Sequence, residues 1–115
     1  MHELSIMGNI LDIVLEHAGK NAAKRVKAVN LMIGELSDII PEWAQMYFDM
    51  LSKETIAENA KLVIDRIPLS VSCKDCGNVH TYQDKDWKFT CQKCGSANIE
   101  VISGREMTVT SIEIE

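Results

Sequence analysis

The chain has 115 residues, enough for one modest hydrophobic core plus a small metal-stapled unit but not for two large domains. Seventeen acidic residues against twelve lysines and arginines give a formal charge of −5, which excludes the basic surface that non-specific nucleic-acid binding requires. No apolar run approaches the ~20 residues of a membrane span, and Met1-His2-Glu3-Leu4 lacks the basic and apolar regions of a secretory signal, so no membrane insertion and a cytoplasmic location are expected.

The first predicted element is a helix. Leu4, Met7, Leu11, Val14, Leu15 and Ala18 follow the spacing of one helix face, and Gly19 stands where a C-terminal cap belongs. Gly8 weakens this helix by roughly 1 kcal/mol against alanine, which points to close packing at that position. Val29, Leu31 and Ile33 then alternate as a strand that ends at Gly34. Pro41 suits the first turn of a second helix, whose apolar face reads as Trp43, Met46, Tyr47, Met50 and Leu51. By this reading Met7, Met46 and Met50 are core residues rather than soft-metal ligands.

A second strand is expected from about 61 to 71, carrying Leu62, Ile64, Ile67, Leu69 and Val71. Its apolar phase slips by one residue around Arg66 to Pro68, which suggests a bulge or an edge position. Ile99, Val101 and Ile102 follow the cysteine-rich stretch, and a last strand runs from Met107 to about Ile114. The expected fold class is therefore α/β: a small three-stranded sheet with two helices, interrupted by an inserted cysteine unit.

That unit holds all four cysteines, in the matched pairs Cys73-Lys74-Asp75-Cys76-Gly77 and Cys91-Gln92-Lys93-Cys94-Gly95. A C-x-x-C loop closed by glycine turns two sulfurs toward one point, and two such loops supply the tetrahedral thiolate set of a structural Zn²⁺ site. Fourteen residues separate the pairs, close to the spacing of four-cysteine zinc templates. Four thiolates leave no open position for water or substrate, so the site is structural. Disulfide or redox use is the rival reading; it requires an oxidising compartment, or only one of the pairs. Val79, Tyr82, Trp87 and Phe89 lie between the pairs and read as a small apolar cluster in preference to a base-stacking surface.

Met1-His2 forms the second constellation. The α-amine, the His2 amide nitrogen and imidazole Nδ1 close adjacent five- and six-membered chelate rings once the amide loses its proton. Such a planar set matches the tetragonal preference of Ni²⁺ or Cu²⁺. Glu3 can supply a fourth nitrogen from its amide, or hold the imidazole with its carboxylate. His17 reads as a solvated or packing residue, and His80 as a surface residue or a donor to a metal-bound sulfur. No nucleophile triad and no phosphate-binding glycine loop is present, so no catalytic residues are assigned.

The chain resembles the HypA/HybF family of hydrogenase nickel-incorporation proteins. The likeness rests on Met1-His2-Glu3-Leu4-Ser5-Ile6, on the strand Val29 to Ile33 ending in Gly34-Glu35-Leu36-Ser37, on the paired knuckles, and on the closing stretch Ile99 to Ile114. The resemblance implies a non-enzymatic nickel metallochaperone. Ni(II) is cargo at Met1, His2 and Glu3, and structural Zn(II) sits at Cys73, Cys76, Cys91 and Cys94. It implies work with the GTPase HypB, delivery to the NiFe-hydrogenase large-subunit precursor, and in some organisms supply of urease. Residues 1–71 and 99–115 would form the nickel-binding α/β domain, and residues 72–98 the zinc ribbon. The alternative from another class is a zinc-ribbon adaptor in transcription or RNA processing, against which the acidity and the Met-His-Glu start both count.

Overall fold

The structure, a computed structural model, describes residues 2–84 and 86–115, without the side chain of His2. In chain order the elements are α1 (His2–Lys20), β1 (Val26–Gly34), α2 (Pro41–Leu51), β2 (Lys61–Ile67), β3 (Ser70–Cys73), β4 (Val79–Thr81), β5 (Ile99–Ser103) and β6 (Met107–Ile114). They make two three-stranded sheets, of order β2-β1-β6 and β4-β3-β5. The chain forms two compact units. One comprises Met1–Met32, Ile39–Asp65 and Thr108–Glu115; the other comprises Ile33–Asp38 and Arg66–Met107.

In the first unit α1 buries Met7, Leu11, Val14 and Ala18 of the face that its periodicity predicts, and Ile10 in addition, whereas the predicted Leu4 is exposed and Leu15 half-buried. The helix runs through Gly19 and ends one residue beyond it. Ala23 N–H donates to Ala18 O and Ala22 N–H to Gly19 O, the two bonds of a Schellman turn, and Ala22 takes the left-handed φ of 52°. The Asn21 side-chain amide adds a bond to His17 O at 2.8 Å. The cap is thus built from backbone and Asn21, not from the predicted glycine.

The second helix departs further from expectation. It starts at Pro41 as predicted, yet its buried residues are Ala44 and Phe48. Trp43, Met46 and Met50, expected in the core, are exposed. The apolar residues of this helix wrap more than half its circumference, so periodicity alone does not say which arc meets the core. Gln45 fixes the chain that follows, accepting from Leu62 N–H at 2.8 Å and donating to Ala60 O at 3.2 Å. Ser52 is fully buried and its Oγ has no hydrogen-bond partner among the described residues.

β1 is the central strand and buries Val26, Ala28, Val29 and Leu31. It runs antiparallel to β6: Arg25 and Glu115 exchange backbone hydrogen bonds at one end, and Thr110 Oγ1 donates to Asn30 O further along.

The single strand expected over 61–71 is two strands in two sheets, the later of which belongs to the second unit. The change falls at Pro68, which has no N–H to give a ladder, and at Leu69, which is fully buried. The slipped phase thus marks a change of sheet, and β2 holds the edge position that was one of its two readings. β3 pairs antiparallel with β4 and with β5, with a register shift between Ser70 and Val71 on the β5 side. Leu69, Val71 and Tyr82 form the core here, flanked by Leu36, Trp87, Ile99 and Val101. Of the four predicted cluster residues, Tyr82 is buried and Trp87 half-buried, whereas Val79 and Phe89 are exposed. The Tyr82 hydroxyl donates to Lys88 O.

Gly34-Glu35-Leu36-Ser37 is the seam of this unit. Gly34 N–H donates to Glu106 O, Leu36 N–H to Gly104 O and Glu35 N–H to Ile67 O, each at 2.8 Å. A Cβ on Gly34 would stand 1.9 Å from Gly104 O and 2.5 Å from Arg105 N. Both are backbone atoms, so no side-chain rotation relieves the clash. Around Gly8 the nearest atom to an added Cβ is Leu51 Cδ1 at 4.0 Å, ordinary contact, so the close packing expected there is absent.

The two glycines should therefore respond oppositely to the same change. Gly34→Ala is expected to destabilise by about 3 kcal/mol or more through backbone displacement. Gly8→Ala is expected to stabilise by about 1 kcal/mol through helix propensity. Chemical denaturation of the metal-loaded chain compares them.

Candidate metal centre

Each knuckle is set by its own glycine. Gly77 N–H donates to Cys73 O and Gly95 N–H to Cys91 O, both at 2.9 Å. The two glycines take left-handed φ values of 78° and 76°, a conformation that side chains disfavour. Behind them, Cys73 N–H reaches Asn78 O at 2.8 Å and Cys91 N–H reaches Ser96 O at 2.7 Å. One sequence pattern thus produces the same turn twice.

The two turns bring together all four predicted cysteines, whose sulfurs lie within 4.8 Å of one another. Cys73 to Cys94 and Cys76 to Cys91 are each 3.6 Å apart, and none of the four is bridged. A tetrahedron of thiolates with Zn–S of about 2.3 Å has sulfurs about 3.8 Å apart, so the set fits one zinc ion with small adjustment. Cys73 and Cys91 are buried, Cys76 and Cys94 exposed, which leaves one side of the cluster open to a chelator.

The thiols do not ionise alike. Backbone N–H groups of Cys94 and Lys93 donate to Cys91 Sγ at 3.4 and 3.3 Å and hold that thiol down at about 6. At Cys94 the Ser96 N–H pulls downward, but the crowding of Cys73 and Cys91 outweighs it and pushes the thiol up to about 12. Cys76 is raised too; the Asn78 N–H lowers it, and desolvation with the neighbouring Cys91 and Cys73 prevails. One thiolate is thus favoured, while Cys76 and Cys94 are held neutral until a cation compensates their charge.

A second link between the knuckles was not legible in the spacing. Asp75, between the cysteines of the first turn, accepts from Ser96 Oγ and, at 3.2 Å, from Asn98 Nδ2 just beyond the second turn. These bonds hold its carboxyl below the usual range, Ser96 more than Asn98. Lys74 N–H adds a bond to Asn98 O at 2.9 Å. The signal available in sequence was an acid at an x position of one C-x-x-C and short polar residues after the other.

The remaining predicted site residues lie apart from this cluster. Met1 and the side chain of His2 are outside the described residues. Glu3 is half-buried in the first turn of α1, and its Oε2 is buried without a hydrogen-bond partner among the described residues. His17 is exposed. His80 is half-buried and meets Tyr82 edge-on with ring centroids 4.6 Å apart. The described residues that gather as potential metal ligands are the four cysteines, and His80 is not among them.

The family described as "Hydrogenase/urease nickel incorporation, metallochaperone, hypA" matches residues 1–114. The chain belongs to the HypA family. It is 37% identical over 115 residues to the hydrogenase maturation factor HypA of Dehalococcoides mccartyi, covering 100% of this chain and 95% of that protein. It is 40% identical over 115 residues to the HypA of Desulfatibacillum aliphaticivorans, covering 99% and 87%. Among solved structures it is similar to that of the nickel metallochaperone HypA from Helicobacter pylori, with a TM-score of 0.68 and 29% identity over 97% of this chain and 96% of that one. A second HypA solution structure gives a TM-score of 0.75 and 31% identity over 100% and 97%. The HypA family is one of nickel-incorporation and hydrogenase-maturation proteins, and the fold expected for it, two helices with small sheets and a four-cysteine cluster, is the fold observed. Among the described residues no helix is long and apolar enough to cross a membrane.

Metal uptake at the cysteines should release protons in a pH-dependent number. At pH 7 the Cys76 and Cys94 thiols are protonated in the metal-free chain, so binding one Zn²⁺ releases at least two protons. Affinity then falls by about 100-fold or more per pH unit, and the proton count rises by one as pH drops through about 6, where Cys91 takes up its proton. Calorimetry in buffers of differing ionisation enthalpy reads both numbers. Asp75→Asn, which keeps every sulfur, should speed zinc loss to a chelator by about tenfold, the worth of a charged hydrogen bond.

Proposed function

We propose that this chain carries Ni²⁺ at Met1, His2 and Glu3 and delivers it during NiFe-hydrogenase maturation, with Zn²⁺ held by Cys73, Cys76, Cys91 and Cys94. The observation that carries the nickel half is that α1 begins at His2, so the backbone of His2 and Glu3 lies in its first turn. First-turn N–H groups have no intrahelical acceptor, so the His2 and Glu3 amides can lose protons to a metal without breaking a helix hydrogen bond. The amine, the amide nitrogen and the imidazole then close the planar chelate that Ni²⁺ prefers. The unpartnered Glu3 Oε2 is a group that gains from a nearby cation or from an imidazole N–H.

In this reading residues 1–71 and 99–115 form the nickel-binding part and residues 72–98 the zinc ribbon. Zinc holds the fold of the ribbon and takes no part in nickel chemistry. The chain catalyses nothing itself. It acts in the cytoplasm with the GTPase HypB, delivers nickel to the hydrogenase large-subunit precursor, and also supplies urease where that enzyme is present; nucleic acid is not a partner. Four sulfurs that fill a tetrahedron favour a structural zinc over a second cargo site.

His2→Ala should abolish specific Ni²⁺ binding and leave one zinc and the thermal transition unchanged. Extending the chain before Met1 should do nearly as much, since it turns the amine into an amide. Nickel content of the large subunit purified from cells carrying His2→Ala should match that of a deletion strain. Normal nickel loading in those cells would reject the terminus as the delivery site.

A further inference from the structure

The α2 residues excluded from the core form a continuous surface. Trp43 is 51% exposed, Met46 47% and Met50 56%, and they lie at i, i+3 and i+7 on one side of the helix. Leu51 continues this side toward α1, where it stands over Gly8, and Leu4 of α1 is exposed one turn earlier. Gly8, which has no side chain, marks the place on α1 that Leu51 approaches. An exposed tryptophan beside two methionines at helical spacing is costly in a soluble protein and typical of surfaces that take a partner.

The charges that the two helices themselves carry are mostly acidic, while Lys61 of β2 lines a recess with Asp49. Glu42 and Asp49 lie one turn on either side of Met46, and Asp12 lies one turn beyond Gly8. Together α1 and α2 carry five acidic residues and one lysine, Lys20, which pairs with Glu16 at 3.4 Å. A second copy of the chain would bring acid against acid on this face, and an anionic lipid surface would be repelled likewise. The complementary occupant has an apolar stripe for Trp43, Met46 and Met50 and positive charge at its margins.

We propose that this α1–α2 face docks an amphipathic helix of a partner protein whose apolar stripe is flanked by lysine and arginine. The helix lies along α2 beside Leu51, its apolar residues cover Trp43, Met46 and Met50, and its cations meet Glu42, Asp49 and Asp12. The surface is defined by exposure and charge and requires no bound nickel.

Trp43 reports on its own surface. In a Trp87→Phe background it is the sole tryptophan of the chain. The full zinc-loaded chain is titrated with two synthetic helical peptides of identical leucine spacing, one with lysine and one with glutamate at the polar positions. The lysine peptide is expected to shift Trp43 emission to the blue with one-to-one saturation and to move the Gly8 and Met46 amide resonances. Paired Met46→Ser and Met50→Ser should weaken it at least tenfold, and so should paired Glu42→Lys and Asp49→Lys. These are surface positions, so the folded circular-dichroism spectrum is retained. Equal binding of both peptides, no binding of either, or lysine-peptide binding indifferent to the methionine pair would overturn the proposal. So would a blue shift that grows with the concentration of the chain alone, which assigns the face to a second copy, or one that requires lipid vesicles. In cells, a photo-crosslinker at position 46 should join a segment whose sequence is a basic amphipathic helix; an acidic segment overturns the assignment.

Discussion

Four sulfurs held within one cluster are the constraint on which the metal-bearing unit depends. Thiols so close cannot all ionise in water, because each thiolate raises the cost of the next. The chain answers part of this cost with backbone: two N–H groups aimed at Cys91 favour one thiolate before any metal arrives. The rest requires a dication. The turns are built by glycines at positive φ and are tied to each other through Asp75, Ser96 and Asn98. The cluster is therefore arranged partly in advance by groups that are not ligands.

The Gly34–Gly104 approach is a second fixed point of the same unit. A strand end, the turn between β5 and β6 and the end of β2 all surrender backbone hydrogen bonds to the four residues from Gly34 to Ser37. Glu35 and Arg66 add an ion pair at 3.5 Å, each about one-quarter exposed. Only a residue without Cβ permits the contact. The motif thus has a structural reason for its glycine that a strand-ending signal in the sequence did not reveal.

The metal unit and the outer elements were legible because their signals are local. Repeated C-x-x-C-G fixes a turn within five residues, the period of α1 selects its buried face, and β6 occupies Met107–Ile114 as read. What was not legible depends on tertiary choice. α2 offers two apolar arcs, and the core takes the smaller, with Ala44 and Phe48, leaving tryptophan and methionine outside. At Pro68 the phase slip agrees with β2 being an edge strand, but only the position of Leu69 in a separate core shows that the chain also passes to a new sheet. The Asp75 link joins residues more than twenty apart in sequence and has no periodic signature.

The function proposed for this chain would keep two metal chemistries apart: closed, soft, four-sulfur coordination at the cysteines, and open, nitrogen-rich coordination at the terminus, from which cargo can leave. Hard separation of ligand type is what lets one metal stay while the other moves. X-ray absorption at the zinc and nickel edges, on one sample carrying one equivalent of each metal, tests this most directly. The account predicts four sulfurs at about 2.3 Å around zinc and a planar shell of nitrogen and oxygen around nickel. Sulfur in the nickel shell, or a nitrogen ligand replacing sulfur at zinc, would contradict it.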